Sequence, residues 1–168
     1  MNIRRKLIQV SLLICLSGFY FSCVDPFPEL PPETQSGAGT FGCLVNNELV
    51  FAESKSSWQG MNAEASYNQN NDELTIIAQC QFGQQFIFLI NDPYKKKDSL
   101  IDSISYLPPN SKEWMKANQT GNFRITRIDI YKEGFEVVSG NFFFSINEHG
   151  KTPVHITKGR FDLNLIFN

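Results

Sequence analysis

The sequence predicts an all-β fold over residues 41–168: a single antiparallel β-sandwich or a partly closed barrel of about nine strands. Three observations lead there. Apolar residues recur with period two from Phe41 onward, the spacing that puts alternate side chains on one face of a strand. Clusters of Asn, Gly, Pro and Asp interrupt those runs at short intervals, as turns between strands require. The apolar content is also weighted toward rings, with 15 Phe against 3 Met and 2 Trp, a composition suited to half-buried pleated strands.

The elements follow in order. Residues 41–45 and 48–51 flank Asn46-Asn47 and form a hairpin, because Asn tolerates the positive φ that a two-residue type I′ turn demands. Residues 64–68 make a weak strand closed by a polar turn over 69–72. Leu74, Ile76, Ala78, Cys80 and Phe82 alternate with polar residues and predict a strand with one wet face. After Gly83, residues 86–90 are apolar on both parities, which predicts a central strand covered on both sides. A further strand over 99–107 is stopped by Pro108-Pro109. Residues 111–118 read as one or two helical turns, with Ser111 as N-cap and Glu113 in the first turn. Strands over 122–131, 135–147 and 154–168 complete the domain, separated by tight turns at 132–134 and 148–151.

Two breaks of parity predict β-bulges. Val154 and Ile156 are even, whereas Phe161, Leu163, Leu165 and Phe167 are odd. One extra residue at Lys158-Gly159 puts both sets on the same face. Phe123 and Ile125 against Ile128 and Ile130 call for another near Thr126 or Arg127. On the polar parity, Thr157, Arg160 and Asp162 form a cross-strand network on the solvent side.

Residues 1–40 have a different character. Arg4, Arg5 and Lys6 precede an apolar run over 7–21, too short to cross a bilayer at the roughly 20 residues a stable helix needs. Ser22-Cys23 ends the run, and a polar, Pro-rich stretch follows. That order marks residues 1–22 as a secretory signal. From Cys23 to residue 40 the chain reads as a tether. Pro26, Pro28, Pro31 and Pro32 favour an extended path, and Asp25, Glu29 and Glu33 add acid and no base. Removing the three basic residues of the leader takes the formal charge from −2 to −5. A chain of that sign lacks the basic face that neutralises phosphates, which argues against nucleic acid as a partner. Lys95-Lys96-Lys97 is a solvated basic loop.

A small residue followed by Cys at the end of an apolar core resembles the lipobox of bacterial lipoproteins, although Tyr20 and Phe21 depart from its commonest residues. The resemblance implies diacylation of the Cys23 thiol, cleavage before it, and a lipid-anchored protein of the outer membrane, on its periplasmic face or at the cell surface. An ordinary secretory signal cut after Ser17 or Ser22 is the alternative the residues leave. Further motifs agree with the lipoprotein class. Leu30-Pro-Pro-Glu-Thr34 with Gly39-Thr-Phe-Gly-Cys-Leu-Val-Asn46, Ile125-Thr-Arg-Ile-Asp129, Val138-Ser-Gly-Asn-Phe-Phe-Phe144 and Val154-His-Ile-Thr-Lys-Gly-Arg-Phe-Asp162 resemble an uncharacterised family of Bacteroidota lipoproteins. The likeness covers the tether and about half of the domain. It implies export, anchoring and an all-β fold, and it supplies no catalytic residue.

Candidate chemistry is sparse. Cys43 and Cys80 lie at inward parities, and the sequence leaves open a disulfide between them or two buried thiols. No C-x-x-C or His spacing suggests a metal, no Gly-rich loop suggests a cofactor, and no nucleophile elbow accompanies His149 or His155. Trp58, Trp114 and Tyr94 fall outside the firm strands. Loop aromatics of this kind stack on glycans or anchor a partner protein, and they equally plug the ends of a sandwich. The expectation is therefore a membrane-anchored, non-enzymatic binding or assembly module with a glycan or protein partner. A structural envelope component is the alternative, and a glycan-acting hydrolase or a lipid-carrying barrel stand behind it.

Overall fold

In the computed structural model, residues 29–53, 62–95, 103–116, 121–129 and 136–167 are described. They form ten strands. The first pair, β1 (Thr40–Val45) and β2 (Glu48–Glu53), is the expected hairpin. Asn46 and Asn47 both take positive φ, 50° and 69°, so the turn matches the right-handed twist of its strands. Next comes a meander of β3 (Asn62–Asn68), β4 (Glu73–Gln79), β5 (Gln85–Asn91), β6 (Ser103–Leu107) and the two-residue β7 (Met115–Lys116). A second meander contains β8 (Gly121–Asp129), β9 (Val137–Ile146) and β10 (Val154–Phe167).

The long strand β10 joins everything. Its first part lies between β1 and β9, antiparallel to both. Those partners end opposite Asp162 and Asn164, and Leu165–Phe167 then pair in parallel with Ala65–Tyr67 of β3. Backbone groups that outrun one neighbour need another. One layer therefore runs β2-β1-β10-β9-β8 and the other β10-β3-β4-β5-β6-β7. The sheet is mixed, not purely antiparallel, and does not close into a barrel.

Phenylalanine rings fill the space between the layers. Phe88 of β5 meets Phe142 of β9 at 5.0 Å and Phe123 of β8 at 5.6 Å, and Phe41 of β1 meets Phe86 of β5 at 5.3 Å. Tilted and offset rings at these separations are favourable pairings. With this space packed by side chains, a lipid-carrying barrel does not describe the fold.

Both bulges form. Between Ile156 and Gly159 the pairing with β9 slips, so that Thr157 and Lys158 oppose one residue. The strained backbone falls on Lys158, with φ 52°, while Gly159 leaves room for a ring: a Cβ there would lie 2.2 Å from Phe142. Thr126 is the extra residue of the second bulge, between Ile125 and Arg127.

Three expectations are corrected. Residues 111–116 contain no helix. Glu113 N–H donates to Ser111 Oγ at 3.0 Å, a local turn, and Met115–Lys116 then pair with β6. Phe82 does not continue the alternation of β4. It sits in a 3₁₀ turn over Gln81–Gly83 with φ 58° and is 77% exposed. On β5 only one face is fully covered: Phe86, Phe88 and Ile90 are buried, whereas Ile87 and Leu89 are half-buried.

Candidate functional site

The most heavily hydrogen-bonded side chain described in the fold belongs to Asp162 on β10. After the Lys158 bulge its parity directs it away from the phenylalanine core, and it was expected in a solvent-side network with Thr157 and Arg160. It is instead 1% exposed, because residues 34–38 cross over it. Oδ2 accepts from Thr34 Oγ1 at 2.6 Å, Ser36 N–H at 3.0 Å, Ser36 Oγ at 3.3 Å and Ala38 N–H at 3.2 Å. Oδ1 accepts from Gly37 N–H at 2.8 Å and from Ser139 Oγ at 2.7 Å. Gly39 N–H adds a bond to the Asp162 carbonyl at 2.8 Å.

Burial by itself would raise the pKa of this carboxyl. The donors from Thr34, Ser139, Ser36 and Gly37 outweigh it and hold the group well below the ordinary carboxylate range. They stabilise the charged form directly, as several donors to one carboxylate do. The end of the stretch read as a solvated tether is thus a strap docked on the domain. Two further contacts hold it. Pro31 packs where a Cβ on Gly42 would lie, 2.5 Å from its Cδ. Arg127 Nη1 donates to the Gln35 carbonyl while its Nε donates to Asp129 Oδ2 at 2.7 Å.

Beside the clamp lies a recess of about 110 Å³ between the strap and the outer face of the first layer. Arg160, Asn141 and Thr126 line it from the sheet, and Pro32, Glu33 and Thr34 from the strap. Arg160 Nε is enclosed and has no hydrogen-bond acceptor among the described residues.

The aromatics singled out from sequence do not converge. Trp58 lies outside the described residues, as does Cys23. Trp114 and Tyr94 are each 39% exposed. Trp114 precedes Met115, which pairs with Tyr106, itself opposite Phe86 near the start of β5. Tyr94 follows the other end of β5 and packs edge-on against Tyr67 at 6.4 Å. The two rings therefore occupy opposite ends of the second layer.

Cys43 and Cys80 are both buried and free. Burial pushes the Cys43 thiol well up, with Cys80 adding to the effect, and burial raises Cys80 to about 12. Tyr106 is raised to about 12 by burial first and then by Cys43, Cys80 and Glu48. Its hydroxyl donates to Gln84 Oε1 at 2.9 Å, at the back of a second opening of about 230 Å³ bounded by Asn46, Val50 and Pro109. His155 Nδ1 meets Ser145 Oγ at 2.9 Å on the exposed surface, and among the described residues no carboxylate bonds that imidazole.

Comparison of the chain with protein-family models, curated proteins and solved structures gives no match. The motifs quoted from the sequence nevertheless meet in space. Thr34, Ser139 and Asp162 make the clamp, Gly42 seats Pro31, and Arg160 floors the recess. This arrangement was not legible in the sequence, because period two tells which face a residue takes, not whether a segment 128 positions away covers it.

Proposed function

We propose that the protein is an exported lipoprotein whose β domain is held at a membrane surface by acyl chains on Cys23 and works there as a non-enzymatic binding or assembly module. The observation that carries this is the order of features along the chain. A basic start, an apolar run and Ser22-Cys23 lead through an acidic, Pro-rich stretch into the strap that Asp162 grips. With Pro31 seated on Gly42, the tether outside the domain is residues 24–29, which on an extended path would span about 19 Å at roughly 3.1 Å per residue. The clamp then fixes where that tether enters the domain, so a pull from the membrane is delivered to β10 at the middle of the first layer. Two or three acyl chains on one residue make such anchoring stable where one chain is marginal. The motif resemblance to Bacteroidota lipoproteins points the same way and suggests the outer membrane.

Binding rather than turnover suits the groups gathered at the strap. Asp162 spends both oxygens on its own chain, and Arg160 can hold a group but supplies no nucleophile and base. The test is Cys23→Ser in the native host. The wild-type protein is expected to fractionate with membranes and to incorporate labelled fatty acid, and the variant to do neither. A full-length, unacylated protein in the soluble fraction contradicts the proposal.

A further inference from the structure

Arg160 lines the recess under the strap, and its enclosed Nε–H lacks an acceptor among the described residues. Arg160 stands in register between Gly42 of β1 and Asn141 of β9, and Asn141 stands opposite Arg124 of β8. Neighbouring strands lie about 4.8 Å apart, so the outer face carries an Arg-Asn-Arg row about 10 Å long. On the β1 side the row is walled by the strap, since Pro31 sits on Gly42 and Pro32 lines the recess. The Arg160 side chain is thereby half-buried, with Nε enclosed and unpartnered among the described residues. A guanidinium keeps its charge in such surroundings. Leaving one of its buried N–H groups without an acceptor is unfavourable, and more so than for a neutral donor.

We infer that this recess binds an oxyanion, the carboxylate or phosphate group of a larger ligand, with Arg160 as its principal contact. The guanidinium fork matches two oxygens of either group side by side. Thr126 and Asn141 bring further polar side chains to the same recess, the Thr34 hydroxyl proton being already given to Asp162, and a volume of about 110 Å³ suits one such group with the rest of the ligand outside. Glu33 lines the rim and bears the opposite charge to Arg160. It repels an incoming anion and keeps the affinity modest. The inference deepens the binding half of the function proposed above by giving the module a ligand class, and it does not depend on the acyl anchor.

The experiment uses the full chain solubilised in a non-ionic detergent. Glucuronate, glycerol phosphate and neutral glucose are titrated while the arginine Nε–Hε signals are followed by NMR, the Arg160 signal being assigned by its loss in Arg160→Lys. At least one of the two anions is expected to move that signal saturably, and which one does so distinguishes carboxylate from phosphate. Glucose is expected to leave it in place. By calorimetry, Arg160→Gln, with its fold checked by the amide spectrum, is expected to lose the binding. Glu33→Gln, on the exposed strap, is expected to tighten it severalfold. Failure of both anions to saturate the signal, a response to glucose equal to that of the anions, an unchanged isotherm in Arg160→Gln, or equal or weaker binding in Glu33→Gln overturns the inference. Acylation of Cys23, read by membrane fractionation, is untouched by any of these results, so the two proposals fail separately.

Discussion

Asp162→Asn preserves the shape of the side chain and removes the charge that the strap is built to hold. Six donors converge on the carboxylate, and an amide can satisfy only one side of them. With its NH₂ in the place of Oδ2 it would face the N–H groups of Ser36 and Ala38. In the place of Oδ1 it faces Gly37 N–H and the Ser139 hydroxyl, and only the hydroxyl can turn to accept. The less costly orientation still strands the Gly37 N–H and weakens every charge-assisted bond on the other oxygen. A hydrogen bond to a charged group contributes about 1.5–3 kcal/mol, and an unsatisfied buried donor costs about 1–3 kcal/mol. Allowing for non-additivity, a loss of about 3 kcal/mol is expected, or a fall in Tm of about 12 °C for a domain of this size. Urea and thermal unfolding followed by circular dichroism measure it. The pH dependence has a definite sign. The folded carboxyl is held below its ordinary range, whereas the unfolded one titrates near 3.9. The stabilisation is therefore complete above about pH 5 and is lost as pH falls toward the lower folded value. The gap between wild type and Asp162→Asn should be constant from about pH 5 upward and shrink in acid. A Tm within about 2 °C of wild type, or a gap that widens in acid, refutes the clamp.

Other consequences follow from the same packing. Phe88, fully buried and in contact with rings from both layers, should lose about 3–5 kcal/mol on replacement by Ala, whereas Phe82→Ala at an exposed turn should change unfolding free energy by less than about 0.5 kcal/mol. Gly159→Ala drives a methyl against the Phe142 ring and should cost about 1–3 kcal/mol through displaced core aromatics, seen as a lower urea midpoint. Cys43 and Cys80, whose thiols are raised by burial, should resist a thiol reagent at pH 8 in the native protein and react once it is unfolded, since the thiolate is the reactive form. Native labelling at the unfolded rate would contradict their burial.

Much of the architecture was legible because it is local. Asn46-Asn47 announced its turn through the one conformation both residues tolerate, and the parity change before Phe161 located a bulge to within one residue. Local cues also misled. Ser111 and Glu113 carry a helix-start signature, yet their hydrogen bond closes a turn and the chain proceeds to pair as a strand. Phe82 kept the apolar alternation of β4 but stands one residue before Gly83, where the backbone bends into a 3₁₀ turn. The clamp was hidden for a different reason. Asp162 does lie on the side away from the phenylalanines, as its parity requires, and residues 34–38 cover it there together with Ser139. A Pro-rich, acidic segment has the composition of a solvated linker, and only the long-range pairing of Thr34, Ser36 and Gly37 with Asp162 reveals it as part of the fold. The same parity puts Arg160 toward open solvent, and the same strap half-encloses it.

Native-state hydrogen exchange at the amides of Ser36, Gly37 and Ala38 addresses the docked strap without any substitution. These three groups donate to a buried carboxylate, so they should exchange orders of magnitude more slowly than in an unstructured peptide and speed up only when that anchorage opens. Exchange at the free-peptide rate at neutral pH would show residues 34–38 to be an undocked linker and would remove the basis for both the clamp and the recess beside it.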